Sequence, residues 1–211
     1  MEEQPKKNNK FINIIKSNLK ILIISSTAVL IGFFIFSWFN IKAESKRTTL
    51  SENYIEAKIL LSQNKSKQAY KILEKIINEK DSTYSLLSLY LIIDQDLVKN
   101  NEKVLTFFNT ALSINDLKKE DLNLLRFKKA IFVSNTVKEK DLLDLLNPII
   151  NSNSVWRVQV IKFLADYYYF NKEYTKADQY YTDLLAIENI DIDKNEIKRK
   201  IKSYKEWEKN L

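Results

Sequence analysis

Apolar residues follow two regimes along this chain. From Ile21 to Ile41 no residue is charged, and apolar side chains fall on every face of a helix. Beyond Ile41 they recur at intervals of three and four, with Lys, Asp and Glu between them. The second pattern marks amphipathic helices sharing a core. The first does not, because a core helix keeps a polar stripe. The 21 residues from Ile21 to Ile41, at about 1.5 Å rise each, can cross a hydrocarbon layer of about 30 Å. The expected fold is all-α: a tail over 1–20, a single transmembrane helix over 21–41, and a polar helical domain over 42–211.

The apolar run reads as a retained anchor. A cleaved signal peptide has a shorter apolar stretch ending at small residues. This one ends in Phe33, Phe34, Phe36, Trp38 and Phe39, and bulky Ile41 stands two positions before Ala43. Lys6, Lys7, Lys10, Lys16 and Lys20 precede it, against Lys42, Lys46 and Arg47 just after it. Five against three places the N-terminus in the cytoplasm by the positive-inside rule, and the domain outside it. A cytoplasmic domain is the alternative that so modest an asymmetry leaves open. Trp38 suits the outer interface, where an indole buries its ring and keeps its N–H wet. Ala28 and Gly32, with Ser25 close by, put small residues on one face, a weak sign of an intramembrane partner.

Within the polar domain, Ala57, Leu60, Ala69, Leu73 and Ile76 are spaced by 3, 9, 4 and 3 residues. Ala130, Val133, Leu142, Leu146 and Ile149 repeat those intervals, as do Ala165, Tyr168, Ala177, Tyr181 and Leu184. A poorer copy falls at Ile92, Gln95, Val104, Phe108 and Ala111, with Ile and Val where the others carry small residues. Successive copies start 35, 38 and 35 residues apart, close to the roughly 34 of a tetratricopeptide repeat. Each copy predicts two antiparallel helices joined by a short polar turn, such as Gln63 to Lys67 or Asn171 to Thr175. The alanines mark the closest crossing, where a large side chain would force the helices apart. The expected domain is therefore a tetratricopeptide-like helical solenoid of three to four degenerate repeats. Ile197, Ile201, Tyr204, Trp207 and Leu211 share one face of a last helix, with Lys198, Arg199, Lys200, Lys202 and Lys205 mostly off it. That helix reads as the cap a solenoid needs over its final apolar face.

Composition narrows the chemistry. The chain has no Cys and no His, which removes Cys/His zinc sites, thiol chemistry and Ser-His-Asp triads. Its one Gly leaves no phosphate-cradling loop. The remaining carboxylates alternate with Lys, the pattern of a solvated face. No catalytic residue, metal site, cofactor or small-molecule substrate is expected. Of the net +7, the first 41 residues hold five basic and two acidic groups, leaving 29 basic against 25 acidic over the rest. Without a dense basic stripe, nucleic acid is not an expected partner.

The repeat register also nominates a protein-binding groove. Helical repeats bind along the exposed side of each repeat's first helix. This selects Tyr54, Lys58 and Leu61 in the first copy, Phe127 and Ile131 in the third, and Lys162, Tyr169 and Phe170 in the fourth. Such a surface, apolar and aromatic with scattered Lys, suits extended, unfolded or amphipathic segments. The same register leaves open that Phe127, Ile131 and Phe170 instead pack into the core. In the cluster Tyr167, Tyr168, Tyr169 and Phe170, it assigns Tyr168 to the core.

A lysine-bearing tail, one anchor and degenerate helical repeats together resemble the YfgM-like family of ancillary translocon subunits. The most specific part is Trp156 to Tyr181: a Trp opens the last repeat, Ala165 follows by nine and Ala177 by twelve. Thr83-Tyr84 at the start of the second repeat and Tyr54 after the anchor fit as well. The resemblance implies a single-pass protein of the bacterial inner membrane with its domain in the periplasm. It also implies association with the Sec translocon and with a membrane-anchored periplasmic chaperone of the prolyl-isomerase type, near unfolded or nascent secreted polypeptides. The expected role is a non-enzymatic, chaperone-like binding module. The alternative is a structural scaffold of an envelope machine, in cell division or outer-membrane assembly, that binds folded partners.

Overall fold

The computed structural model describes residues 18–187 and 193–208. The tail lysines Lys6, Lys7, Lys10 and Lys16, and Leu211 of the expected cap, lie outside the described residues, as do the side chains of Lys20, Ser25, Tyr204 and Trp207. The chain forms two compact units, residues 1–55 and residues 56–211. Among the described residues the regular structure is all α-helix: α1 (Leu19–Ser62), α2 (Ser66–Asn78), α3 (Tyr84–Asp94), α4 (Asn101–Leu112), α5 (Lys119–Val133), α6 (Glu139–Ile150), α7 (Arg157–Phe170), α8 (Tyr174–Ala186) and α9 (Lys194–Glu208).

In the first unit, α1 carries an exposed apolar surface among the described residues. Ile24, Val29, Phe34, Trp38 and Ile41 are each more than three-fifths exposed. A soluble helix with this surface would face water at a high free-energy cost, whereas hydrocarbon accepts it. This helix is long and apolar enough to cross a membrane. An added Cβ at Gly32 would meet nothing within 4 Å.

In the second unit each helix from α2 onward packs on the next, and α2 also packs on α4. Packing that stays between near neighbours in the chain is the organisation of a helical solenoid. Ala57, Ala69, Ala130, Ala165 and Ala177 are fully buried, with Leu73, Ile76, Leu142, Leu146, Ile149, Tyr168, Tyr181 and Leu184 beside them. The three well-formed copies thus occupy their expected places, with Leu60 half-buried.

The turn within a repeat is built without glycine. Asn64, Asp96 and Lys172 have positive φ (59°, 48° and 63°) at the ends of α1, α3 and α7. At each, the N–H of the following residue donates to the carbonyl five positions back: Lys65 to Leu60, Leu97 to Ile92 and Glu173 to Tyr168, at 2.9–3.0 Å. This motif satisfies carbonyls a helix end leaves unpaired. Asn and Asp tolerate the left-handed conformation, and Lys172 adopts it at some cost.

These turns correct the register of the second copy. The acceptor carbonyl is Leu60 in the first copy and Tyr168 in the fourth, each three residues after its crossing alanine. In the second copy it is Ile92, so the crossing residue is Leu89, not Ile92. Gln95, expected to pack, is instead the exposed C-cap of α3. The second helix keeps its expected register, with Val104, Phe108 and Ala111 buried, because the turn over 95–100 is longer than those over 63–65 and 171–173. The small residues of this copy are Ser85 and Ser88, both fully buried on α3. Ser85 donates its hydroxyl to the Ile76 carbonyl of α2 at 2.9 Å.

Helix α9 packs on α8, with Ile197 buried and Ile201 half-buried, as a cap requires. Lys198, Arg199 and Lys202 are exposed, but Lys200 turns inward.

Candidate binding clefts between successive first helices

Helices α3, α5, α7 and α9 are consecutive first helices in the repeat order, and the three gaps between them are filled in three different ways. Between α3 and α5 lies an apolar cleft of about 230 Å³ lined by Tyr90, Ile93, Asp94, Lys128, Ile131 and Phe132. Ile131 is 47% exposed. The Lys128 ammonium sits 5.0 Å from the centre of the Tyr90 ring, a cation–π contact. Among the described residues Lys128 has no carboxylate partner. The Tyr90 hydroxyl is buried without a hydrogen-bond partner. Burial, reinforced by the Asp121 carboxylate, pushes its pKa well above the ordinary value, so it stays protonated.

The second gap is closed. Phe127 of α5 is buried and meets Phe163 of α7 edge-on at 5.8 Å, and Phe163 continues to Tyr167 at 6.4 Å. Aromatic pairs in this geometry add to the area they bury.

The third gap, between α7 and α9, is a cleft of about 430 Å³ with charged walls. Asp166 is its centre. Lys162 donates to Oδ2 at 2.6 Å, while Lys200 of α9 (2.8 Å) and the Tyr181 hydroxyl of α8 (2.6 Å) donate to Oδ1. Lys200 also pairs with Glu196 at 3.0 Å. Burial alone would raise the Asp166 pKa, but the hydrogen bonds from Lys162, Lys200 and Tyr181 pull it below its ordinary value. A single carboxylate therefore ties three helices together. A similar knot lies nearby: Tyr168 donates to Glu139 at 2.6 Å and Lys176 at 2.7 Å. The Lys176 and Tyr168 bonds hold the Glu139 carboxyl below its ordinary value.

The groove residues expected from sequence do not form one site. Tyr54 is half-buried in the first unit; in the second, Lys58 is exposed and Leu61 half-buried. Phe127, open to either reading, belongs to the core, because the Phe163 ring covers it. Ile131 and Phe170 are exposed, Phe170 to 75%. Lys162 is engaged by Asp166. Tyr169 is half-buried, edge-on to Phe170, Tyr174 and Tyr181, with its hydroxyl 3.5 Å from Ser203 on α9.

Of the candidates, only Ile131 reaches the apolar cleft, and its companions Tyr90, Ile93 and Asp94 were not nominated. The nominated groove residues lie three places before, and one, four or five places after, the crossing position. With Leu89 at that position in the second copy, these places hold Leu86, which is buried, and Tyr90, Ile93 and Asp94, three residues of the cleft wall. The signal was present in the sequence but displaced by the longer turn. Among the described residues no group of acidic side chains is placed to hold a metal ion.

No family model matches the chain, and no solved structure matches it. A relative from Buchnera aphidicola subsp. Schizaphis graminum, named as an ancillary SecYEG translocon subunit, is 30% identical over 177 residues. That match covers 82% of this chain and 89% of the relative. The single N-terminal apolar helix fits an inner-membrane protein that spans once. Identity of this extent along both chains places the protein in the family of ancillary SecYEG translocon subunits, the YfgM-like proteins.

Proposed function

We propose that the chain is a single-pass, non-enzymatic subunit at the SecYEG translocon that binds secreted polypeptides as they emerge. Residues 1–20 lie in the cytoplasm, 21–41 span the inner membrane, and 42–211 form a periplasmic, tetratricopeptide-like domain. The domain works beside a membrane-anchored periplasmic chaperone and holds unfolded segments on the exposed side of its first helices. The observation that carries this reading is the match to the Buchnera translocon subunit over most of both chains. The bare apolar surface of α1 and the apolar cleft between α3 and α5 support it.

Protease treatment of spheroplasts, followed by crosslinking of the domain in its native membrane, tests the reading in two steps. The domain is digested from outside, and its crosslinks are to translocon subunits and secreted chains. Protection of the domain, or crosslinks to unrelated envelope proteins alone, would overturn it. Suppression of client aggregation by the full chain in nanodiscs separates this role from that of a scaffold for folded partners.

A further inference from the structure

The cleft between α3 and α5 combines exposed apolar walls with a cation that no carboxylate engages among the described residues. Its walls are Ile93, Ile131, Phe132 and the Tyr90 ring, and its opening carries a cation, Lys128, with no carboxylate partner among the described residues. Four other lysines of the domain are engaged by carboxylates. Lys162 and Lys200 are bound by Asp166, Lys103 by Glu74 at 2.6 Å, and Lys176 by Glu139 and Glu173. Asp94, the acidic residue of the cleft, receives its bond from the neighbouring Gln95 amide at 2.8 Å. The opening therefore presents a cation without an ion pair beside exposed apolar surface, with the Asp94 carboxylate on the α3 wall turned to Gln95.

Size limits the occupant. A dry cavity of about 150 Å³ holds one benzene ring; this cleft, at about 230 Å³, accepts one large side chain and part of its backbone, not a folded surface. The Tyr90 face already under the Lys128 ammonium continues into the apolar wall. A carboxylate adjacent in sequence to the inserted side chain would reach that ammonium at the lip.

We infer that this cleft is a subsite for one large apolar side chain of an extended polypeptide, read together with a carboxylate next to it in the segment. The inference rests on the proposed function and sharpens it: within unfolded clients, segments pairing Phe or Leu with Asp or Glu are held here. Segments pairing Phe or Leu with Lys are held less well, since Lys128 repels them. Burial of the side chain supplies the affinity, and the exposed charge pair supplies the preference.

The test uses the full chain in nanodiscs and fluorescent eleven-residue Gly/Ser peptides carrying a central Asp-Phe, Lys-Phe, Asn-Phe or Asp-Ala pair. Fluorescence anisotropy should rank Asp-Phe above Asn-Phe above Lys-Phe, with about two- to fivefold in Kd between steps. Asp-Ala should bind about tenfold or more weakly than Asp-Phe. Lys128→Glu should reverse the Asp-Phe and Lys-Phe order. Ile131→Glu should weaken all Phe peptides by about tenfold or more, while thermal melting shows the fold unchanged, since Ile131 is 47% exposed. Binding that ignores charge, or survives Ile131→Glu, overturns the inference and leaves the proposed function standing. So does aggregation suppression without peptide binding. A dimer of the chain that Ile131→Glu abolishes would assign the cleft to a second copy and overturn it equally. Absence of both peptide binding and aggregation suppression overturns the inference and the proposed function together.

Discussion

The cleft between α3 and α5 and the cleft between α7 and α9 occupy equivalent places, yet one is apolar and the other saturated with ion pairs. The difference begins with the residue one place after the crossing position: Tyr90 and Ile131 in the first, Asp166 in the second. Asp166 draws Lys162 and Lys200 onto itself, so the second cleft is built from contacts that hold the cap helix. Tyr90 and Ile131 attract no such partners, and Lys128 lies over the Tyr90 ring without an ion pair among the described residues. The same geometric slot thus serves structure when filled by an acid and presents a binding surface when filled by apolar groups. The closed gap between them, filled by Phe127 and Phe163, shows a third use, as plain core.

The harshest way to break this comparison is Ala165→Leu. Ala165 is fully buried at the crossing beneath the charged cleft, and overpacking there costs about 1–3 kcal/mol or more. Urea unfolding of the full chain should show that loss, and limited proteolysis should cut α9 first, because neighbour-only packing confines damage to the last repeat. Peptide binding at the α3–α5 cleft should survive. Wild-type stability in this variant would contradict the repeat register.

Asp166→Asn removes the charge at the centre of the cap anchor. It should cost about 1–2 kcal/mol, less than a fully buried network would, since the lysines are partly exposed. The sign of the pH effect follows from the depressed pKa. Asp166 contributes its full stabilisation above the ordinary value of 3.8, and that contribution is lost as pH falls through the lower folded value. Acid unfolding curves should therefore converge for wild type and variant once pH has fallen through that lowered value; stability curves that run parallel through the whole acid range would remove Asp166 from the anchor.

Smaller effects sharpen the contrast. Tyr168→Phe deletes one hydroxyl donor to Glu139 and should cost about 1 kcal/mol in urea unfolding; no change would show that Lys176 alone satisfies Glu139. Lys162→Ala breaks a partly exposed pair four residues apart on α7 and should cost about 0.3–0.5 kcal/mol. Because its ammonium is already engaged, peptide binding should not move, in contrast with Lys128→Glu.

Much of this was legible in the sequence. The intervals between buried alanines and their large neighbours fixed the helices of three copies, because close packing at a helix crossing restricts residue size. The second copy was misplaced on its first helix because a longer turn carries no periodic signal, and the error hid Tyr90, Ile93 and Asp94 from the groove rule. Lys200 and Asp166 stand 34 residues apart, as Tyr168 and Glu139 stand 29 apart. Polar pairs at that separation look like any solvated side chains until the helices are docked. Phe127 and Ile131, four apart on one helix, share a face in the repeat register. They differ because the next repeat supplies Phe163 to cover one and nothing to cover the other.

Site-directed photocrosslinking from the two clefts, in inner membranes exporting a secreted protein, tests the central claim most directly. A photoreactive phenylalanine analogue at Ile131 would report on the apolar cleft, and one at exposed Gln159 on the charged one. The account predicts that position 131 captures the exported chain while it is still unfolded and that position 159 does not. Capture from position 159 with none from position 131 would contradict it.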